Sequence, residues 1–471
     1  MGLLRLFLAL SVVIHHLPQR SFAWLNAGVA VLVFFMISGF YMALIINERY
    51  SKADSWQLRF YLSRVGRLFP AYLTVLILGL LWLALTTSPT VFTSNYSLGI
   101  WRQLLLIFSN IFIIGQDLFQ TVLMTNAYEK HNIVSDTSVS LLGLEFFQNQ
   151  FMVIGQSWSL AEELIFYALA PLFIRRVRSI VVVLAMSIAV RLFFQWQSTS
   201  FPPIVWGYWF FPSTISFFCL GALGYFGYKK VSCFSFAKTV GLILLGLWLT
   251  WVTFRLRNGG ILYEGTDYDS INHWLFYICL ATSIPFVFLA TKENYFDRLL
   301  GELSYPLYLV HGFIIGILLS RGGLSPGSFS AEAIIIVCSV GVASLMYVFV
   351  DGPVDRYRRH IETAPVAPMV RWAVTIFACT LIVGLVAGLR TQWLTPIPPK
   401  APEVPGLLGK PRLMPPVLVN IVGKFNIVRY KGQYFAIPHG QSIDWDKDNV
   451  PKLPGVLTAS SQDEIRMMLP P

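Results

Sequence analysis

Residues 27–46 read AGVAVLVFFMISGFYMALII, a run of twenty residues without a charged side chain. A helix of about 20 apolar residues is long enough to cross the hydrocarbon core of a bilayer. The rest of the chain has the same character: 55% of its 471 residues are hydrophobic and 13% are charged, whereas soluble domains carry roughly 25% charged residues. The composition excludes a soluble enzyme, a disordered protein and a secreted disulfide scaffold, and it predicts an all-α, multi-pass membrane protein.

Ten further apolar runs are predicted to span the membrane: 3–18, 68–87, 158–174, 180–196, 207–228, 239–254, 273–291, 305–320, 330–350 and 371–390. The first of them also resembles a signal peptide with a weak cleavage site at 21–23. Arg5 is its only early charge, however, and His15 and His16 interrupt its apolar end. We therefore expect this segment to be retained as the first helix.

Lysine and arginine concentrate in the loops between these runs, at 49–67, 175–178, 229–238, 292–298 and 356–359. The positive-inside rule places such loops in the cytoplasm, and with them the N-terminus. The same rule explains the net charge of +11, so nucleic acid is not predicted as a partner. The topology requires 88–157 to cross the membrane zero or two times. We favour zero crossings, with the polar run 102–117 as a re-entrant or interfacial segment.

The five cysteines include no CxxC motif and no Cys/His pair at ligand spacing. Four of them lie inside apolar runs and are expected to pack as small hydrophobic side chains. The sequence therefore predicts neither a metal site nor a disulfide framework.

Four segments are predicted: a membrane domain of about ten helices (1–360), an additional transmembrane helix (361–394), a Pro-rich linker (395–416) and a small extracytoplasmic module (417–471). In the module, 417–422 and 425–437 alternate apolar and polar residues, and the dipeptide Lys431-Gly432 is typical of a turn, which together predict a β-hairpin. No internal repeat is evident, which argues against a transporter built from duplicated halves.

Two groups of basic and imidazole side chains stand out near the first and third spans. Arg5 and His16 are eleven residues apart, so they share one helix face at a separation of about 16 Å. Interfacial snorkelling would explain them, but a buried site is favoured. Arg64 and Arg67 lie on one side of the third span and can bind phosphate oxygens. On spacing alone, positive-inside basicity explains this pair more simply.

Two other spans begin or continue with polar side chains. Glu162 and Glu163 follow Trp158 at the outer start of an apolar helix, where a carboxylate can cap the helix or face a cavity. Tyr305, Tyr308 and His311 form a polar stripe at helical spacing on another span. Such a stripe lines a cavity or joins two helices, and the spacing leaves both interpretations open.

Taken in order, these segments resemble the acyltransferase-3 family of integral membrane acyltransferases. The matching stretches are Arg5 to His16 (Arg-x10-His), 33–41 (VFFMISGFY), 60–70 (FYLSRVGRLFP), 158–167 (WSLAEELIFY) and 300–311 (LGELSYPLYLVH). The fourth stretch selects Glu163 over Glu162. Two departures occur, since Ser63 replaces an arginine of the family pattern and Asp351-Gly352-Pro353 replaces Glu-x-Pro.

The resemblance implies a ten-helix domain that takes an acyl group, commonly acetyl, from cytoplasmic acyl-CoA to a hydroxyl of a cell-envelope glycan or lipid-linked sugar. An eleventh helix with an outside module also occurs in that family. The protein is thus expected in the plasma (inner) membrane, with its N-terminus in the cytoplasm and its C-terminal module outside.

Residue chemistry and the motifs together suggest a mechanism. His16 would deprotonate the acceptor hydroxyl, and Glu163 would orient its imidazole. Arg64 and Arg67 would hold the CoA phosphates, while Arg5 would contact the pantetheine arm or an oxyanion. The remaining motif side chains are candidates to line the substrate pore: Ser38, Trp158, Tyr305, Tyr308 and His311.

Two other functions fit parts of the sequence. A transporter of an acyl or glycan precursor could use His16 and Glu163 as a proton relay. Alternatively, the module at 417–471 could be the functional binding unit, with the membrane part as its anchor. An anchor, however, would need neither eleven spans nor buried Arg, His and Glu side chains.

Overall fold

The computed structural model describes residues 1–17, 25–52, 55–85, 107–129, 138–141, 144–147, 152–198, 201–257, 268–321, 324, 328–358, 417–422, 425–430, 433–438 and 456–459. The chain divides into two compact units, Met1–Pro396 and Ile397–Pro471. The predicted eleventh helix and the Pro-rich linker lie outside the described residues.

The first unit is helical throughout most of its described length, as the composition predicts. Its helices are α1 (Gly2–His15), α2 (Ala27–Glu48), α3 (Trp56–Leu85), α4 (Gln116–Glu129), α5 (Trp158–Phe173), α6 (Val177–Trp196), α7 (Pro203–Tyr208), α8 (Phe211–Val231), α9 (Ala237–Arg257), α10 (Ile271–Thr291), α11 (Tyr295–Arg321), α12 (Phe329–Met346) and α13 (Gly352–Arg358). A π-helical turn, Tyr347–Asp351, joins the last two. A helix therefore occupies each of the ten spans predicted before residue 351.

Six helical stretches within the described ranges are long and apolar enough to cross a membrane: Ala27–Glu48, Trp56–Trp82, Val177–Trp196, Ile271–Thr291, Tyr295–Leu319 and Phe329–Arg358. Gly2–His15 and Ala237–Thr250 are shorter apolar helices. Helices are the expected form of such segments, because lipid offers no hydrogen bonds to backbone N–H and C=O groups. The prediction of an all-α, multi-pass membrane protein is confirmed.

The polar run 102–117 does not form one continuous helix. Residues 107–112 are helical, and the chain then turns sharply, with Ile113 at φ 61° and Gly115 at φ 77°. These left-handed conformations end the first helical stretch before α4 begins. After α4, a short antiparallel hairpin pairs β1 (Ser138–Leu141) with β2 (Leu144–Phe147). The number of membrane crossings in 88–157 stays a prediction.

Two close helix contacts position the candidate site. A Cβ atom on Gly2 would lie 1.5 Å from the Asp297 carbonyl oxygen, and one on Gly39 would lie 1.9 Å from that of Phe218. Only glycine allows the backbones to approach this closely. The first contact packs α1 against α11, and the second packs α2 against α8.

The second unit contains a four-stranded antiparallel sheet in the order β3 (Val417–Val422), β4 (Phe425–Tyr430), β5 (Gln433–Pro438) and β6 (Leu457–Ala459). The predicted hairpin is present, with β4 and β5 on either side of 431–432. Two strands extend it, because β3 pairs with β4 and β6 pairs with β5. The pairing register shifts between Leu418 and Asn420, which marks a β-bulge in β3.

Candidate active site

A cavity of about 480 Å³ lies among α1, α2, α3, α5 and α11. Its lining includes seven of the ten residues that the sequence singled out: Arg5, Ser38, Arg64, Arg67, Glu163, Tyr305 and Tyr308. These residues come from five segments of the chain that are distant in sequence. Helix packing therefore gathers most of the singled-out side chains around one partly enclosed space, which is the usual form of a small-molecule site.

One end of the cavity is strongly basic. The described lining contains seven cationic side chains (Arg5, Arg49, Arg64, Arg67, Lys292, Arg298 and Arg358) and three acidic ones (Glu163, Asp297 and Glu302). All seven cations belong to loops or helix ends that the charge pattern predicts to be cytoplasmic. We call this end of the cavity the basic mouth. An excess of positive charge at a partly enclosed opening attracts anionic ligands.

Arg64 is available to such an anion. Its guanidinium lies 3.1 Å from the Ser63 hydroxyl and 5.8 Å from the centroids of the Phe60 and Tyr167 rings. Within the described ranges no carboxylate pairs with it. Arg5 also lines the cavity without an ion pair to any described residue. Both side chains therefore keep free hydrogen-bond donors for a ligand.

Arg67 has a different environment, although it lies only one helical turn from Arg64. Its Nη1 atom lies 2.7 Å from a Glu302 carboxylate oxygen and 3.3 Å from one of Asp355. The guanidinium also lies 5.9 Å from the centroid of the Tyr305 ring. Two carboxylates thus pair with Arg67 and none of the described carboxylates pairs with Arg64, so the two arginines of the predicted phosphate site differ in environment.

Glu163 lies deeper in the cavity. Its carboxylate accepts a hydrogen bond of 2.8 Å from the Ser38 hydroxyl and another from the Tyr167 hydroxyl, one turn along α5. In the part of the chain that the structure describes, these are its hydrogen-bond partners, and the expected contact with His16 is not formed. The reason is geometric, because α5 presents Glu163 to α2 whereas α1 carries His16 to α11. The neighbouring Glu162 is fully buried and does not line the cavity.

His16 pairs with His311 instead. The two ring centroids are 5.1 Å apart, with an angle of 51° between the ring planes. His16 is exposed at the end of α1, whereas His311 is only 1% exposed. Neither lines the cavity. This pairing was not predicted from the sequence, although each histidine is the last residue of a matched motif.

The hydrogen bonds of these two rings determine their tautomers when they are neutral. Nδ1 of His16 lies 2.8 Å from the Val12 carbonyl oxygen, and Nδ1 of His311 lies 2.8 Å from that of Tyr308. A carbonyl oxygen only accepts, so both Nδ1 atoms carry the proton. Nε2 of His16 is then the nitrogen that can take a proton from another molecule, as a general base requires.

Tyr308 lies between the cavity and the histidine pair. It lines the cavity, and its ring centroid is 5.9 Å from that of His311. Its hydroxyl is hydrogen bonded to the Ser159 hydroxyl at 2.7 Å. Ser159 was not singled out from the sequence, although it directly follows Trp158 in a matched motif. The cavity therefore ends at this pair of hydroxyl groups rather than at His16.

The two remaining candidates differ in position. Tyr305 lines the cavity and donates a hydrogen bond of 2.7 Å to the Leu68 carbonyl, which ties α11 to α3. Trp158 does not line this cavity, contrary to expectation. As the first residue of α5 it points toward α7, where its ring centroid lies 5.1 Å from that of Tyr208 and 6.2 Å from that of Trp209. Trp158 therefore belongs to an aromatic cluster outside the site.

Comparison with known proteins gives one family match. A family model described as an acyltransferase domain, Acyl_transf_3, matches residues 1–348. The match includes α1 to α12, both histidines and most of the cavity lining. No curated protein and no solved structure matches the chain.

Proposed function

The chain belongs to the acyltransferase-3 family, and from this membership we propose that it moves a short acyl group, acetyl in the simplest case, from cytoplasmic acyl-CoA to a hydroxyl of a cell-envelope glycan or lipid-linked sugar. In this proposal the protein lies in the plasma (inner) membrane, with its N-terminus in the cytoplasm and the module 417–471 outside. The general activity of a membrane acyltransferase, without a named donor or acceptor, follows from the family itself.

The observation that carries the donor assignment is the basic mouth, where Arg64 and Arg5 form no ion pair with any carboxylate of the described residues. CoA presents several phosphate groups at one end and a thioester at the end of a long flexible arm. Arginine binds phosphate oxygens through charge-assisted, often bidentate hydrogen bonds. Arg64 and Arg5 offer such donors at the mouth, and Ser38, Glu163 and Tyr308 lie deeper. A phosphate-rich head at the mouth would direct the arm and its thioester inward.

The positions of Arg5 and Glu163 narrow their proposed roles. Arg5 lies at the basic mouth, about 16 Å along α1 from His16, so it contacts the donor rather than an oxyanion beside His16. Glu163 does not reach His16, and it is held in place by Ser38 and Tyr167. Its carboxylate can accept hydrogen bonds from the amide N–H groups of the pantetheine arm, which would orient that arm in the cavity.

His16 is the proposed general base. Its Nε2 takes the proton of the acceptor hydroxyl, and the hydroxyl oxygen attacks the thioester carbonyl carbon. The carbon–sulfur bond then breaks, and the CoA thiolate recovers the proton from the imidazolium. His311 packs against the His16 ring and positions it. Because Tyr308 lies between the cavity and this pair, its ring must move when the acyl group is transferred.

The alternative of a transporter with a His/Glu proton relay has less support. Such a relay needs His16 and Glu163 in one chain of hydrogen bonds, whereas among the described residues the partners of Glu163 are Ser38 and Tyr167. The family match also names an acyltransferase domain.

Mass spectrometry of cell-envelope glycans tests the proposal. Cells with the wild-type protein should carry an O-acyl mass increment that is absent from cells without the gene and from cells with His16→Ala. The neighbouring His15→Ala is the matched control and should keep the modification. A purified protein that releases no free CoA from acetyl-CoA with the acceptor present would contradict the proposal, as would full modification by His16→Ala.

A further inference from the structure

The inner end of the cavity is closed by two side chains from different helices. Tyr308 of α11 and Ser159 of α5 both line the cavity, and their hydroxyl groups are 2.7 Å apart. Tyr308 is 8% exposed and Ser159 is 4% exposed. Together they form a polar contact across the path from the basic mouth to the histidine pair.

Gln156 holds Tyr308 in this position through hydrogen bonds of its side chain and its backbone. Its Nε2 donates hydrogen bonds to the carbonyl oxygens of Tyr308, at 3.0 Å, and Leu309, at 2.8 Å. Its own backbone carbonyl accepts a bond of 3.3 Å from the Tyr308 hydroxyl. Because Gln156 and Ser159 belong to one short segment, four hydrogen bonds tie that segment to α11. These bonds therefore hold the Tyr308 ring in place while the donor binds, before the transfer step that displaces it.

The cavity surface in front of this closure is apolar. Phe34 lies against Tyr308, with 6.4 Å between ring centroids, and Val31 and Leu160 also line the cavity. An acyl chain that enters ahead of the thioester would meet these side chains and then the Tyr308 ring. The space available to it is limited by an aromatic ring rather than by a flexible aliphatic side chain.

We propose that Tyr308 is the specificity-determining residue for the donor, and that its ring restricts the protein to short acyl groups such as acetyl or propionyl. This inference rests on the proposed use of acyl-CoA and adds the residue that limits chain length. A short group brings the thioester carbonyl up to Tyr308, the cavity residue nearest to the histidine pair. A long chain would fill the inner end and hold the carbonyl back toward the basic mouth.

Direct binding tests the inference without knowledge of the acceptor. The full chain, purified in lipid nanodiscs, is titrated with acetyl-CoA, butyryl-CoA and octanoyl-CoA. The wild-type protein should bind acetyl-CoA more tightly than octanoyl-CoA. Tyr308→Ala should reverse this order, because each additional buried methylene is worth roughly fourfold in affinity. Octanoyl-CoA should then gain at least about tenfold over wild type, while acetyl-CoA changes by less than about threefold.

Tyr308→Phe is the matched control. It keeps the ring and loses the hydrogen bond to Ser159, so it should retain the wild-type order of affinities. Tyr308→Leu removes the ring with less loss of packing than Tyr308→Ala. It replaces the alanine variant in the titration if Tyr308→Ala does not fold. A gain of octanoyl-CoA affinity in Tyr308→Phe equal to that in Tyr308→Ala would overturn the role of the ring.

Two negative results have different meanings. If wild type and the alanine and leucine variants share one chain-length preference while all bind acetyl-CoA, the inference about Tyr308 is wrong and the proposed function survives. If the folded wild-type protein binds none of the three donors, both the proposed function and the inference are overturned.

Discussion

His16 and His311 lie ring to ring, with centroids 5.1 Å apart, although His16 directly follows the first helix of the chain and His311 lies within the eleventh. The buried member, His311, donates from Nδ1 to the Tyr308 carbonyl, and the exposed member donates from Nδ1 to the Val12 carbonyl. Both rings are thus anchored on their own helices. The buried His311 ring therefore packs against the inward-facing side of the exposed His16 imidazole and supports it.

The first prediction concerns this support. His311→Ala should lower the acyl-transfer rate by at least about tenfold, because the His16 ring loses its packing partner and its fixed orientation. His311→Gln should recover part of the rate if its amide replaces the Nδ1 bond. A positioning role predicts a lower kcat with little change in acetyl-CoA affinity. Equal activity of His311→Ala and wild type would contradict it.

The second prediction separates the two arginines of α3. Arg64→Ala should weaken acetyl-CoA binding by about 10- to 100-fold, the value of one or two charge-assisted hydrogen bonds. Its thermal stability should be nearly unchanged, since no described carboxylate depends on it. Titration of purified protein with acetyl-CoA measures the effect, with Arg59→Ala, outside the cavity lining, as the matched control.

The third prediction concerns Arg67 itself. Arg67→Ala should destabilise the fold by about 2–3 kcal/mol, because it removes the cationic partner of Glu302 and leaves Asp355 with Arg358 alone in a largely buried site. Removing the charge from both partners (Glu302→Gln with Asp355→Asn) in the Arg67→Ala background should restore part of the lost stability. Thermal unfolding in detergent gives the measurement. An Arg67→Ala protein as stable as wild type would show that the ion pairs contribute nothing.

A fourth prediction concerns Arg191 in α6. Its guanidinium donates to the carbonyls of Ser213, at 2.9 Å, and Gly207, at 2.7 Å, and it forms an ion pair with Asp269. Lysine cannot reproduce three such bonds, so even Arg191→Lys should lose about 2–4 kcal/mol of stability.

Thermal unfolding measures this loss of stability, and Lys238→Ala provides the control. It breaks an ion pair with Glu293 whose side chains are 57% and 69% exposed, so it should leave thermal stability within about 0.5 kcal/mol of wild type. Equal losses in Arg191→Lys and Lys238→Ala would refute the structural role of Arg191.

The fifth prediction concerns pH. Burial raises the pKa of Asp117, at the start of α4 and outside the six helical stretches that are long and apolar enough to cross a membrane, to about 6. The folded protein therefore binds this proton more tightly than the unfolded chain, and stability falls as pH rises from about 4 to 6. Asp117→Asn should remove that slope and stabilise the protein by up to about 3 kcal/mol at pH 8. Unfolding scans from pH 4 to 8 check this, and an unchanged slope would count against it.

The helices could be predicted from the sequence because lipid strongly restricts the backbone conformation of an apolar segment. A run of apolar residues that must satisfy its own backbone groups has only the helix available, so composition and run length were enough. The motif order likewise pointed to the family and to most of the cavity lining. The break at 113–115 was not foreseen, since a left-handed Ile113 depends on the Ser109 and Gln116 hydrogen bonds around it.

Partner choice, by contrast, was decided by the tertiary structure. Arg64 and Arg67 are alike in sequence, and only the packing of α11 and α13 against α3 brings Glu302 and Asp355 to one of them. Glu163 was expected beside His16, but the helix contacts give it Ser38 and Tyr167. Periodicity determines which side of a helix a residue occupies. Which helix that side meets depends on close contacts such as that of Gly2 with Asp297, and these form only when the whole bundle packs.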